Sequence, residues 1–138
     1  MKIGIIKEFK TPSDKRVVFT PSKCAAAKKL FPKVEFLIES SDVRCYSDKE
    51  YSDLGFNVVN DISSADILIG VKEVPINKLI PNKKYFFFSH TIKKQPYNKD
   101  LLLSILDKNI ELFDHETIVD RKSNSCLLYT SDAADEGL

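Results

Sequence analysis

Two short apolar runs constrain the fold of this chain most. Asp66-Ile67-Leu68-Ile69-Gly70-Val71 leads straight into Lys72-Glu73, and Lys84-Tyr85-Phe86-Phe87-Phe88-Ser89 leads straight into His90. Continuous apolar runs of this length read as strands buried on both faces, the habit of parallel sheets. In an open parallel sheet, function gathers at the carboxyl ends of the strands. The pattern therefore predicts that Lys72, Glu73 and His90 converge on one cleft.

The rest of the chain alternates strands with helices. Residues 2–6 read as a short strand, and Thr11-Pro12-Ser13 marks a loop. Thr20-Pro21 starts a helix, with a hydroxyl N-cap followed by Pro at the first helical position. That helix runs to about Phe31 and stops before Pro32. Residues 34–38 form the second strand. Ser47 and Glu50 have capping-box spacing and open a short helix that Gly55 closes. Residues 56–59 read as a brief strand, 75–80 as one short helix and 110–113 as a last strand. Asn98 is expected to cap a helix with Leu101, Leu102, Ile105 and Leu106 on one face. The expected fold class is α/β: an open, mainly parallel sheet with helices on both faces, in a flavodoxin-like or half-Rossmann layout.

Composition excludes several classes. The formal charge is +1 over 138 residues, so no field suited to nucleic acid or membrane is present. No run approaches the roughly 18 apolar residues of a membrane span. Cys24, Cys45 and Cys126 are odd in number and widely spaced, which argues against a disulfide framework and against a zinc site. Lys7 and Glu8 interrupt the first apolar run, so no secretory signal is legible. These features predict a reduced, cytoplasmic protein without a resident metal.

Three residue types at these places point to proton and carboxylate chemistry. An amine at a strand end, partly shielded from water, can exchange protons near neutral pH, which makes Lys72 a candidate. His90 is the second, because imidazole is the usual acid and base near pH 7. Arg16 is one of only three arginines among 21 basic residues. A guanidinium can grip a carboxylate through two parallel hydrogen bonds, which a lysine cannot do. Glu73 could tune the charge of Lys72 or hold a substrate amine. From position alone each of the four also reads as an ordinary surface residue. The four glycines build no G-x-G-x-x-G and no P-loop, so no dinucleotide cradle is legible.

The end of the chain changes character. From Cys126 it reads CLLYTSDAADEGL, without Lys or Arg. The segment CLLYTSDAADE resembles a transposase-type sequencing adapter translated in one frame. That resemblance implies a truncated gene: a native domain at residues 1–125 and a non-native tail at 126–138.

The opening IGIIKEFKTPSDKRVVFTP resembles the N-terminal signature of the alanine dehydrogenase, pyridine nucleotide transhydrogenase and saccharopine dehydrogenase superfamily. Its Lys-Glu, Arg-Val and Thr-Pro fall on Lys7-Glu8, Arg16-Val17 and Thr20-Pro21. ADILIGVKEVP is similar to the second signature. FFFSHTIKKQPYN, followed by LLLSILDKNIELFDHE, is most similar to saccharopine-forming lysine-ketoglutarate reductases. The resemblance covers residues 1 to about 122.

It implies a substrate domain that precedes a separate Rossmann domain binding NAD or NADP. It implies catalytic roles for Lys72 and His90, a carboxylate-binding role for Arg16 and a place near the substrate amine for Glu73. Cofactor-binding residues are expected in the missing C-terminal domain, and none in this stretch. The implied partners are an amino acid and a 2-oxo acid, with no nucleic acid or membrane. The implied reaction joins the lysine side-chain amine to 2-oxoglutarate and reduces the imine to saccharopine. An alanine dehydrogenase fragment, or a non-catalytic amino-acid or oxo-acid binding module, are the alternatives. This polypeptide alone is expected neither to bind NAD tightly nor to turn over.

Overall fold

A chain that starts in the middle of its sheet must reverse direction once, and that reversal fixes where a site can form. The computed structural model describes residues 1–122; Cys126 and the expected tail at 126–138 lie outside the described residues. The strands are β1 (Lys2–Ile5), β2 (Glu35–Glu39), β3 (Asn57–Val59), β4 (Ile67–Lys72), β5 (Lys84–Phe88) and β6 (Glu111–Asp114). All neighbouring pairs are parallel, in the order β3-β2-β1-β4-β5-β6. The chain walks outward from β1 to β3, crosses back to β4 and walks outward again. The gap outside the carboxyl ends of β1 and β4 is therefore the topological switch point. The expected open parallel α/β sheet is present, and its strand order is the Rossmann one rather than the flavodoxin one.

Right-handed crossovers put the helices of the two halves on opposite faces. On one face, α1 (Pro21–Leu30) and α2 (Asp48–Ser52) cover Ile5, Phe36 and Ile38, with Cys24 and Tyr51 in the interface. On the other, α3 (Lys99–Asp107) sends Leu101 and Ile105 against Leu68, Tyr85 and Phe87. Full burial of a side chain such as Leu68 or Phe87 is worth about 1.5–3 kcal/mol. The local signals act as expected. The Thr20 hydroxyl accepts from Lys23 N at 3.3 Å. Ser47 and Glu50 cap reciprocally, and Gly55 follows α2 at φ 82°. The segment 75–80 forms only one 3-10 turn, Ile76–Lys78.

Two expectations need correction. The strands β4 and β5 are not buried on both faces. Leu68, Gly70, Tyr85 and Phe87 are buried, whereas Ile69, Phe86 and Phe88 are half-buried. The α1–α2 layer stops over the first half of the sheet, so Phe86 instead stacks on the exposed Phe113 of edge strand β6, with centroids 4.5 Å apart. β2 is the strand enclosed on both sides, through Phe36, Leu37 and Ile38. The second correction concerns Asn98. It stands at the N-cap of α3, but its side chain makes no cap bond there and donates to the His90 carbonyl at 3.1 Å.

Candidate active site

Strand β4 carries one residue more than its neighbour near its end. Ile69 pairs with Phe86, but Lys72 pairs with Phe88, so the register slips between them. A β-bulge of this kind re-aims a side chain. Without the extra residue Val71 would oppose Phe88, and Lys72 would face the other side of the sheet. As folded, the Lys72 Nζ lies 5.7 Å from the centroid of the Phe88 ring. The His90 ring stacks on the same phenyl at 6.1 Å, and His115 meets its edge at 5.3 Å. An ammonium and an imidazole from adjacent strand ends thus flank one aromatic ring.

His90 is held in an uncommon backbone state. Its φ of 57° is left-handed, a region that few non-glycine residues occupy outside special turns. The turn is locked from below. The buried Ser89 donates both its backbone N–H, at 3.2 Å, and its hydroxyl to Asp114, and its hydroxyl also lies 2.7 Å from that of Thr91. Asn98 adds its bond to the His90 carbonyl. The His90 Nδ1 lies 3.4 Å from the Glu116 carboxylate, which also meets Lys93 Nζ at 3.0 Å. The His115 Nε2 lies 2.9 Å from the Gly70 carbonyl, tying β6 to the bulge.

The loop after β1 brings the other charges. Glu8 reaches across the switch point and accepts from the backbone N–H of Val71 at 2.6 Å and of Lys72 at 2.9 Å. Burial pushes its pKa up, and the two amide bonds only partly offset this. Asp14 accepts from Arg16 Nε at 3.0 Å and from Nη2 at 2.6 Å. Arg16 acts electrostatically on Glu8, and Lys72 on Asp14, so these four groups share one neighbourhood. Glu73 pairs with Lys10, while its Oε2 is buried without a hydrogen-bond partner. Burial opposes the Glu73 charge, but Lys10, with a smaller contribution from His90, outweighs it and holds the pKa below the ordinary value.

The four expected residues therefore stand at the carboxyl ends of β1, β4 and β5. Lys72 and His90 are half-buried and Arg16 is exposed, while Glu73 is engaged with Lys10. Sequence reasoning missed Glu8, Asp14 and Glu116. The available signal was acidic residues interleaved with Lys7, Lys10, Lys15 and Arg16, and a Glu just after His115. Among the described residues no group of three or more His, Cys, Asp or Glu is arranged to hold a metal. No described helix is long and apolar enough to cross a membrane.

The hydrogen bonds from Arg16 hold the Asp14 carboxyl down to about 2, from an ordinary 3.8. A depressed carboxylate pKa stabilises the fold above its unfolded value and loses that contribution as pH falls through the folded one. Arg16→Ala is expected to return the Asp14 titration toward 3.8. Carboxyl-carbon NMR checks this, and a midpoint still near 2 in the variant would assign the depression to another group.

Comparison with known proteins bears on the fold and the family. The bovine (Bos taurus) mitochondrial alpha-aminoadipic semialdehyde synthase is 48% identical over 86 residues, covering 62% of this chain and 9% of that protein. The Yarrowia lipolytica saccharopine dehydrogenase [NAD(+), L-lysine-forming] is 29% identical over 125 residues, covering 87% of this chain and 33% of that protein. The chain thus spans a third or less of either relative. A solved L-alanine dehydrogenase superposes with a TM-score of 0.76 at 20% identity, over 93% of this chain and 36% of that one, which is a likeness of fold. The alanine dehydrogenase/PNT N-terminal domain family matches residues 4–134. On that match, and on the parallel sheet that carries it, this chain belongs to the alanine dehydrogenase/PNT N-terminal domain family.

Proposed function

We propose that this domain forms the substrate side of an NAD(P)-dependent amino-acid oxidoreductase of the saccharopine-forming type. The observation that carries the reading is the pairing of Lys72 and His90 about Phe88, at the ends of neighbouring strands. The names of the bovine and Yarrowia relatives support the lysine branch.

In this reading Arg16 orients a carboxylate of a 2-oxo acid, exchanging part of its hold on Asp14 for the ligand. Lys72 and His90 carry the protons. Addition of an amine to a keto carbon needs a proton delivered to the oxygen and one removed from the nitrogen. Loss of water then needs a second proton on the departing hydroxyl. Two titratable groups facing one space can alternate in these steps. Holding the acid beside them supplies the proximity that a two-substrate reaction requires. Glu73 faces the amine partner from the Lys10 side.

The residues present do not fit a dinucleotide. A tight glycine turn would have to join β1 to a helix there. Instead a long polar loop separates Ile5 from Pro21, and the Glu8 carboxylate occupies the switch point where a pyrophosphate would lie. The hydride donor is accordingly assigned to another domain. The cytoplasmic expectation rests on Lys7 and Glu8 breaking the first apolar run, whereas the bovine relative is mitochondrial by name.

The test is a titration of the isotope-labelled 138-residue chain followed by amide NMR. Addition of 2-oxoglutarate is expected to shift signals at Arg16, Lys72 and His90, and Arg16→Ala is expected to abolish the response. A stronger response to pyruvate would move the assignment to the alanine branch. Shifts confined to another surface, or none, would overturn the reading.

A further inference from the structure

The two N–H groups of the bulge that aims Lys72 are fastened by one carboxylate, while His115 holds the neighbouring Gly70 carbonyl. In an unbroken strand, successive N–H groups point to opposite sides. Here two consecutive N–H groups, Val71 and Lys72, turn toward one carboxylate, that of Glu8. The clasp is long-range, since Glu8 belongs to the loop after β1 and the amides to β4. It also needs Gly70. A Cβ at that position would sit 2.8 Å from the Ile6 side chain, which would have to shift beside the clasp, and 3.4 Å from Glu8 Oε1.

We propose that Glu8 is a positioning residue that sets the direction of the Lys72 ammonium by holding the bulge in β4. The carboxylate satisfies the two amides that the bulge turns out of the regular ladder. The bulge places Lys72, rather than Val71, opposite Phe88. That register brings Nζ over the phenyl ring and toward the His90 side of the sheet. Glu8 also lies in the field of Arg16, so one side chain links the loop that bears Arg16 to the strand end that bears Lys72. The catalytic meaning of this placement rests on the reading of Lys72 given above; the placement itself does not.

The experiment therefore needs no ligand and no turnover. In the 138-residue chain, the Lys72 Nζ lies over the Phe88 ring, so the adjoining ε-methylene protons are expected to resonate upfield of the other lysines. Phe88→Leu identifies the signal by removing the displacement while Val71 and Lys72 amides stay protected from exchange. Glu8→Gln keeps the size but can accept only one of the two N–H groups, and it presents a donor to the other. It is expected to abolish the Lys72 upfield displacement and to speed exchange of those two amides by about 10- to 100-fold, the loss of one charge-assisted bond. The methyl signals of Leu68, Leu101 and Ile105 should stay in place, which separates a local change of aim from general loosening. Glu8→Ala should show the same at both amides. A folded Glu8→Gln chain whose Lys72 signal keeps its wild-type position overturns the proposal, as does a Phe88→Leu chain in which that signal does not move. Failure of 2-oxoglutarate to bind the wild-type chain would instead strike the functional reading and leave this result standing.

Discussion

Lys72→Met is expected to lower kcat by about 10²- to 10⁴-fold in an oxidoreductase that carries this domain, the range for loss of a positioned acid or base. Methionine keeps the length of the side chain and its contact with the half-buried Phe88 ring, so the change removes the exchangeable proton and the charge. KM for the oxo acid should rise far less, because Arg16 remains. His90→Asn should cost a comparable factor. If the two groups serve one proton path, the double variant should be scarcely worse than the poorer single one, since residues that act as a unit are not additive. Steady-state kinetics across pH provide the check. A Lys72→Met enzyme within about tenfold of wild type would remove Lys72 from the chemistry.

Phe87→Ala should be the most damaging change to stability, at about 3–5 kcal/mol. Phe87 is fully buried, meets Tyr85 edge-on at 5.8 Å and packs in the cluster that includes Leu101 and Ile105 of α3. That loss approaches the whole stability of many domains, about 5–15 kcal/mol. Phe86→Ala, one residue away on the open face, should cost only about 1–2 kcal/mol because less apolar surface returns to water. Denaturant midpoints at unchanged slope measure both. Equal losses for Phe86 and Phe87 would mean that the face bearing Phe113 is covered after all.

This contrast marks where the sequence could be read and where it could not. Capping chemistry is local, so Thr20, Ser47 with Glu50, and Gly55 were legible residue by residue. Strand existence was legible too, because short apolar runs bounded by polar residues leave few alternatives. Two-sided burial was not, since it depends on which helix covers which strand. FFF reads the same whether a helix or water lies over its middle ring. For the site, Lys72 and His90 stood out because each ends a strand. Glu8 did not, because its role is to accept from backbone amides some sixty residues away, and no local spacing encodes that. The slip in β4 is likewise invisible in ILIGVK; only the pairing of Lys72 with Phe88 reveals it.

The Asp14–Arg16 pair has a consequence for selectivity. A guest acid arriving at Arg16 finds a tenant of the same charge already seated, with Nε and Nη2 engaged. Swapping one carboxylate for another leaves the electrostatics of that spot nearly unchanged. The guanidinium then contributes less net affinity than an unpaired one would, and guests are told apart by what their remaining atoms touch. The arrangement favours guests with a second handle over simple monoacids, and it makes eviction, rather than attraction, the step at which they are told apart.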